Sequence, residues 1–379
     1  MNIGIDGNEA NVENRVGVNK YAFEIIHGLK IENEKRTNPH NLIVYLKNTP
    51  LSDLPKETKN FRYKVLGGGG LWILTKLTPY LFHNPERIEV LFSPSHYVPP
   101  LLTIPRVCSI MDLGYLEFTD QFEKKTFWQL KYWTAISIFV SKQVLTISED
   151  AKKDIVRHYP WASKKVNITR LGFESDKFNL KISEDFVRQV KIKYSIVGDY
   201  ILFLSTLKPS KNVSGLISAY HTLLTKKAFK NLPQLVVGGK KGWMYNEIFN
   251  KVKNLGLEEK IIFTDFIDEE DKPALIFGSK FFVLPSFWEG FGIDILSAYG
   301  SSKLAVVSNT GSSPEVAGEA GIYVDPYNIQ SIADGMEKVL NMSSVEYNRI
   351  VKLGLEQTKK FSWEKCAAKT LDVLEKIKD

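Results

Sequence analysis

Two series of short apolar runs, separated by stretches with helical spacing, constrain this chain more than any other feature of its sequence. NIGID opens the first series, which continues through NLIVYL, KVLGG, VLFSP, RVCSIMD and VLTIS. YILFLSTL opens the second, which continues through LPQLVVGG, KIIFTDF, KFFVLPSF, LAVVSNT and GIYVDP. Strand-like runs that alternate with helical segments are typical of parallel, doubly wound sheets. The pattern loosens over residues 175–199, so the sequence predicts two α/β domains, residues 1–180 and 181–361.

The composition favours a soluble protein of a reducing compartment. The 379 residues suit two domains of ordinary size, and 44% of them are hydrophobic, enough for two cores. The two cysteines, Cys108 and Cys366, lie far apart and fit no metal-binding spacing. The segment MNIGIDGNEA does not resemble a signal peptide, and no run approaches the ~20 apolar residues of a membrane-spanning helix. We therefore expect a cytoplasmic location.

The formal charge of +7 leaves three kinds of anionic partner open: nucleic acid, phosphorylated small molecules and a membrane surface. No zinc-finger spacing or RNA-binding signature occurs, so we expect no nucleic-acid partner. Two stretches mix aromatic residues with lysines, FEKKTFWQLKYW at 122–133 and GLWILTKLTPYLF at 70–82. They fit a peripheral contact with the inner face of a membrane, and they also fit ordinary core packing beneath exposed lysines.

Glycines, lysines and acidic residues, which are suited to binding a ligand, follow five of the strand-like runs in the second half of the chain. In open α/β sheets, ligands bind outside the carboxyl ends of the strands. The five segments are TLKPSKN from Thr206, GGKKGW from Gly238, IDEED from Ile267, EGFG from Glu289 and TGSSPE from Thr310. Glycines, lysines and carboxylates therefore collect at one edge of the predicted sheet.

The segment Glu289-Gly-Phe-Gly292 reads as a tight turn that opens a helix. Glycine permits a close approach of the backbone, and the free N–H groups of a helix start favour an anion such as phosphate. Lys211 supplies a cation for a second phosphate oxygen, whereas Glu289 is an acceptor for neutral hydroxyl groups. Phosphate donors beside a hydroxyl acceptor indicate a sugar phosphate.

These motifs resemble those of a known family. PSFWEGFGIDILSAY from Pro285, followed by VSNTGSSPEVAGEAGIYVDP up to Pro326, is similar to the signature of the retaining GT-B-type glycosyltransferases of family 4, also called glycosyltransferases group 1. STLKPSKN resembles the phosphate-binding loop of that family, and NIGIDGNEA with GVNKY resembles its amino-terminal segment. The resemblance implies two Rossmann-like domains that face a central cleft, with a C-terminal helix at about 362–379 packed back on the first domain.

The resemblance also implies substrates and residue roles. The second domain would bind a nucleotide-sugar and the first a glycan or lipid-linked acceptor, with no cofactor and no metal, since no D-x-D triplet occurs. Lysine and helix amides would stabilise the departing diphosphate. Carried over by position, the catalytic residues are Glu289, Lys211 and Asp112. The donor-binding residues are Gly17, Lys20, Thr206, Lys208, Ile267, Gly290, Phe291, Gly292, Ile293, Ser297 and Glu315.

Four positions depart from the family pattern, among them Ser210, which stands where a basic residue is common. Ser297 stands where a second glutamate commonly binds the ribose, and a hydroxyl is a weaker partner than a carboxylate. Met111 stands where a histidine usually precedes Asp112, and we expect it to fill the core. Thr206 replaces a common basic residue, for which Lys208 could compensate.

Two hypotheses of function remain after these departures. The first is a retaining hexosyltransferase that uses a nucleotide-sugar, GDP-mannose first and a UDP-sugar second. The second is a catalytically silent protein of the same fold that binds a nucleotide or a partner glycosyltransferase. Because Glu289 and Lys211 are retained, the sequence favours the enzyme.

Overall fold

The chain divides into two compact units. The computed structural model describes residues 1–119, 123–226, 231–242 and 245–377. Unit 1 consists of Met1–Gly172 and Phe361–Asp379, and unit 2 is the continuous segment Phe173–Lys360. The division thus follows Gly172, somewhat before the predicted boundary at residue 180, because Phe173 and Phe178 already pack against Gly300 of unit 2.

Unit 1 is built on a seven-stranded parallel sheet with the order β3-β2-β1-β4-β5-β6-β7. Its strands are β1 (Asn2–Asp6), β2 (Asn41–Leu46), β3 (Phe61–Val65), β4 (Val90–Ser93), β5 (Arg106–Ser109), β6 (Gln143–Thr146) and β7 (Val166–Ile168). Its helices are α1 (Val18–Glu34), α2 (Thr78–His83), α3 (Gly114–Glu117), α4 (Lys124–Val140), α5 (Glu149–His158) and α14 (Trp363–Glu375), with a π-helical turn at Ile73–Leu77 and a 3₁₀ turn at Pro160–Lys165.

Unit 2 is built on a six-stranded parallel sheet with the order β10-β9-β8-β11-β12-β13. Its strands are β8 (Tyr200–Leu204), β9 (Gln234–Gly238), β10 (Ile261–Asp265), β11 (Phe282–Leu284), β12 (Ala305–Ser308) and β13 (Gly321–Val324). Its helices are α6 (Glu184–Lys193), α7 (Val213–Thr225), α8 (Tyr245–Asn254), α9 (Lys272–Gly278), α10 (Ile293–Gly300), α11 (Ser313–Ala317), α12 (Ile329–Leu340) and α13 (Ser344–Thr358), with 3₁₀ turns at Pro209–Lys211 and Gly318–Ala320.

The central strands are buried and mostly apolar because helices cover both faces of each sheet. All five residues of β8 are buried, as are all four of β12. The predicted α/β class with two doubly wound, Rossmann-like sheets is therefore confirmed. The three-residue strand β7 was absent from the prediction, since VNI is too short to stand out from its neighbours.

The last helix of the chain completes the core of unit 1. Cys366, Ala367, Leu371 and Leu374 of α14 are buried in one cluster with α1 and the first strands. The helices approach closely because Gly28 has no side chain; a Cβ there would lie 2.9 Å from that of Ala367. No helix among the described residues is both long and apolar enough to cross a lipid bilayer.

Candidate functional site

Lys211 and Glu289 meet at the carboxyl edge of the unit 2 sheet. Lys211 ends the 3₁₀ turn after β8, and Glu289 lies in the loop after β11. Lys211 Nζ lies 2.6 Å from Oε2 of Glu289, and the hydroxyl of Ser286 donates to Oε1 at 2.7 Å. Both side chains of the ion pair are largely buried, with 13% and 9% of their surface exposed. A carboxylate has further lone pairs, so Glu289 can still accept bonds from sugar hydroxyls.

Hydrogen bonds of the backbone and of Asn212 hold these two loops together. The amide of Phe287 donates to the carbonyl of Ser210 at 2.9 Å. Asn212 adopts a left-handed conformation at the start of α7, where its Oδ1 accepts from the amide of Gly215 at 3.2 Å. Its Nδ2 donates to the carbonyl of Pro285 at 3.1 Å. Asn212 therefore caps a helix and fixes the loop of Glu289 at the same time.

Glycine residues shape the turn that opens α10. Gly292 precedes the helix with φ 84°, a left-handed conformation that other residues rarely adopt. No side chain caps this end of α10, and an uncapped helix start favours an anion. Gly311 lies against the backbone of Glu289, and the hydroxyl of Ser312 donates to the carbonyl of Glu289 at 2.8 Å. The loop after β12 therefore packs against the loop of Glu289 and supports it.

Asp294, which the sequence analysis did not assign, adds a second acid to this region. It lies in the first turn of α10, and burial raises its pKa above the usual value. The cation of Lys272 opposes that rise, whereas the carboxylate of Glu289 adds to it. An acid in the turn directly after Gly-x-Gly was the sequence signal that could have revealed it.

The remaining donor-site residues of unit 2 differ in exposure. Thr206 is exposed, and Lys208 and Glu315 are partly buried. Ile267 is buried against Gly238 at the end of β9. Ser297 retains only 3% of its surface exposed, so its contact with a ribose stays a prediction.

The backbone residues predicted to approach the donor form the turn itself. Gly290 and Ile293 are partly buried and Phe291 is buried, with 4% of its surface exposed. Their position at the start of α10 follows from the strand–turn–helix order of the sequence. Trp243, the last residue of the predicted GGKKGW segment, lies outside the described residues, as does Phe122 of the aromatic–basic stretch.

Of the predicted residues of unit 1, Lys20 and Asp112 have partners close to them in the chain. Gly17 precedes α1 with φ 55°, in open space. Lys20 forms an ion pair with Glu24 on the same helix, with Nζ 2.7 Å from Oε1. Asp112 accepts a bond from the amide of Gly114 at 2.9 Å, and Met111 packs against the core, as expected of a methionine at that position.

A cavity of about 350 Å³ opens at the carboxyl end of β1 in unit 1. Carboxylates, amides and aromatic rings line it together. These residues include Asp6, Asn8, Glu9, Lys47, Trp72, Tyr97, Gln129 and Trp133. The sequence analysis missed this site because its walls come from segments more than a hundred residues apart, which no local motif connects.

Hydrogen bonds and ring contacts give the cavity walls their shape. Asn8 donates to Oδ1 of Asp6 through its backbone and its side chain, at 3.2 and 2.8 Å. Burial raises the pKa of Asp6 to about 6. The rings of Tyr97 and Trp133 lie edge to face with centroids 5.7 Å apart, and Gln129 donates to the Tyr97 hydroxyl at 3.1 Å. Aromatic faces beside carboxylates and amides suit a sugar ring with its hydroxyl groups.

Two doubly wound units, one of which presents a lysine–glutamate pair beside a helix-opening glycine turn, have the architecture of the GT-B glycosyltransferases. Residues 196–356, which make up most of unit 2, match the model of the family described as Glycosyl transferases group 1.

Known proteins resemble the chain in sequence and in fold. O-antigen chain mannosyltransferase B of Escherichia coli is 28% identical over 346 residues, which cover 90% of this chain and 86% of that protein. The serotype-specific mannosyltransferase WbdA of Escherichia coli is 30% identical over 225 residues, 59% of this chain and 27% of WbdA. The structure of sucrose-phosphate synthase from Thermosynechococcus elongatus has the same fold, with a TM-score of 0.74 at 16% identity, covering 100% of this chain and 99% of that one.

Proposed function

We propose that this glycosyltransferase transfers mannose from GDP-mannose to a growing glycan or lipid-linked acceptor, with retention of configuration. The contact between Lys211 and Glu289 carries the proposal, because it places a cation for phosphate beside an acceptor for sugar hydroxyls. Mannose is favoured over other hexoses because two aligned relatives are named mannosyltransferases, one of them over 90% of this chain.

In the proposed reaction, the diphosphate of the donor is held by Lys211 and by backbone amides at the uncapped start of α10. Glu289 accepts bonds from hydroxyls of the donor sugar and fixes its orientation. The bond from the anomeric carbon to the phosphate oxygen breaks, and the acceptor oxygen bonds to that carbon on the same face. The acceptor proton passes to the departing phosphate, and the cation and the amides stabilise its charge without a metal.

We propose that the cavity of unit 1 holds the acceptor sugar. Trp133 and Tyr97 would pack against the apolar face of a sugar ring, while Asp6 and Glu9 accept bonds from its hydroxyls. Trp133→Ala should raise the acceptor KM several-fold and leave GDP affinity unchanged. An equal loss of acceptor binding and of GDP affinity would show that the cavity does not bind the acceptor.

The decisive experiment combines binding with turnover. Thermal unfolding is measured with GDP, UDP and ADP, and then GDP release from GDP-mannose is followed with mannose-containing oligosaccharides as acceptors. We expect GDP to raise the midpoint of thermal unfolding more than UDP or ADP does. NMR of the product should show the same anomeric configuration as in the donor. Glu289→Gln, which keeps the shape and removes the charge, is the inactive control.

Each alternative gives a different result in the same experiment. Stronger stabilisation by UDP, with turnover of a UDP-sugar, would replace GDP-mannose as the donor. Nucleotide binding without release of diphosphate from any donor would identify a silent binding protein, the second hypothesis from the sequence. An inverted product would overturn the retaining mechanism.

A further inference from the structure

Helix α4 of unit 1 exposes a continuous apolar stripe. Trp128, Tyr132, Ile136 and Phe139 have 47%, 58%, 41% and 73% of their surface exposed. Their spacing of four, four and three residues places them on one face of a helix. The rings of Trp128 and Tyr132 stack with centroids 5.5 Å apart, so the stripe is an ordered surface. We call these four residues the α4 stripe.

The α4 stripe is not the face by which the helix packs on its own unit. Thr134, Ser137 and Ile138 are buried on the other side of α4. The hydroxyl of Ser137 donates to the carbonyl of His96 at 2.6 Å. At the helix end, Lys165 Nζ donates to the carbonyl of Ser141 at 2.9 Å. The helix is therefore anchored without its stripe, and burial of the stripe needs another surface.

The charge around the α4 stripe is positive. The helix carries three lysines, Lys124, Lys125 and Lys131, and no acidic residue. The first two are exposed in the first turn, and Nζ of Lys131 lies 4.9 Å from the ring centroid of Trp128. Beyond the other end of the stripe, the exposed ring of Trp161 lies edge to face with Phe139, at 5.8 Å.

We infer that the α4 stripe and its lysines dock unit 1 on an anionic lipid bilayer. Amphipathic indole and phenol rings favour the boundary between headgroups and acyl chains, and lysines beside them meet the phosphates of anionic lipids. A second copy of the same face would bring lysines toward lysines, whereas an anionic bilayer has the complementary charge. This inference does not depend on the donor, the acceptor or the reaction.

Co-sedimentation with vesicles tests the inference directly. The full chain is mixed, at low ionic strength and without any nucleotide, with vesicles of phosphatidylglycerol and phosphatidylethanolamine, or of phosphatidylcholine alone. We expect binding to the anionic vesicles, and binding at least tenfold weaker to phosphatidylcholine. The double variant Trp128→Ser, Phe139→Ser should reduce anionic binding at least tenfold, because it removes two inserted aromatic side chains.

Two further variants separate charge and folding from the stripe itself. Lys124→Gln with Lys125→Gln should weaken binding to anionic vesicles about tenfold or more, since each lysine near such a surface adds roughly fivefold to affinity. Ile192→Ser on α6 of unit 2 is the matched control, because Ile192 is 71% exposed, close to the 73% of Phe139. The control should bind vesicles like the unmodified protein, and all variants should keep its thermal midpoint.

Three results would overturn the inference: no binding to anionic vesicles, undiminished binding of the stripe variant, or an equal loss in the Ile192 control. Analytical ultracentrifugation without vesicles tests the alternative that a second copy of the chain binds the α4 stripe. If the unmodified chain dimerises and the stripe variant does not, the stripe is a contact between copies and the membrane assignment fails.

Discussion

Lys211 illustrates how a single residue serves both the fold and the proposed chemistry. Without a donor it neutralises the buried carboxylate of Glu289. With a donor, the same cation would face a diphosphate. Sequence reasoning predicted both residues at strand ends of one sheet. It did not predict the bonds from Ser286 and Asn212 that shape the site, because such bonds depend on loop geometry.

Replacement of Lys211 should separate phosphate binding from nucleoside binding. Lys211→Ala should weaken GDP affinity by about 1.5–3 kcal/mol, the scale of a charge-assisted bond, and leave guanosine affinity unchanged. Isothermal calorimetry with both ligands measures the difference. Lys226→Ala, at the far end of α7, is the control. Equal losses for GDP and guanosine would show that the effect is structural.

Asp6 should make the stability of the protein depend on pH. Burial raises its pKa to about 6, above the value near 4 of an unfolded chain. The native state therefore favours the protonated form, and this stabilisation is lost as pH rises through about 6. Asp6→Asn should then raise the free energy of unfolding by about 1–3 kcal/mol at pH values above 7, relative to the unmodified chain, since one unit is worth about 1.4 kcal/mol.

Urea unfolding at a series of pH values measures this dependence. The advantage of Asp6→Asn should shrink as pH falls from 7 toward 4. Asp53 provides a control of opposite sign, because a bond from Arg15 lowers its pKa, so its contribution is lost as pH falls. A constant difference between Asp6→Asn and the unmodified chain at every pH would contradict the assignment.

At the scale of elements, the sequence predicted the positions of the strands, but it did not predict which side chains of α4 are exposed. Twelve of the thirteen strands in the described part of the chain overlap predicted apolar runs, because central strands buried on both faces are largely apolar. The edge strand β3 shares only Lys64 and Val65 with its predicted run. The stretch at 122–133 fitted either a membrane surface or a core, since composition does not give the direction of each side chain. In the structure one helix does two things: Gln129 and Trp133 line the cavity, while Trp128 and Tyr132 are exposed.

The junction of Gly172 and α14 gives a prediction at the same scale. A Cβ at Gly172 would lie 2.2 Å from the backbone nitrogen of Trp363, which cannot move without the helix. Gly172→Ala should therefore reduce the free energy of unfolding of unit 1 by about 1–3 kcal/mol, as overpacking does. Gly69→Ala is the control, because an added Cβ there meets no atom within 4 Å. Equal stability of both variants in urea would contradict close docking of α14.

At the scale of the molecule, unit 2 is one uninterrupted segment that contains the whole β8–β13 sheet with Lys211 and Glu289. A fragment of residues 173–360 should therefore fold cooperatively and bind GDP, which thermal unfolding with and without nucleotide measures. A chain that ends at residue 360 should show no cooperative unfolding of unit 1, since it lacks the apolar face of α14. A fragment that fails to fold alone would show that unit 2 needs unit 1.

The place of α14 also sets an order of events during protein synthesis. The ribosome makes residues 1–172 before unit 2, but the core they form stays incomplete until α14, which follows unit 2 in the chain, has emerged. The middle segment, made later, has all its strands before that moment. The second unit can therefore finish folding first, while the amino-terminal sheet waits with part of its apolar surface uncovered, and chaperones would be needed most at this stage.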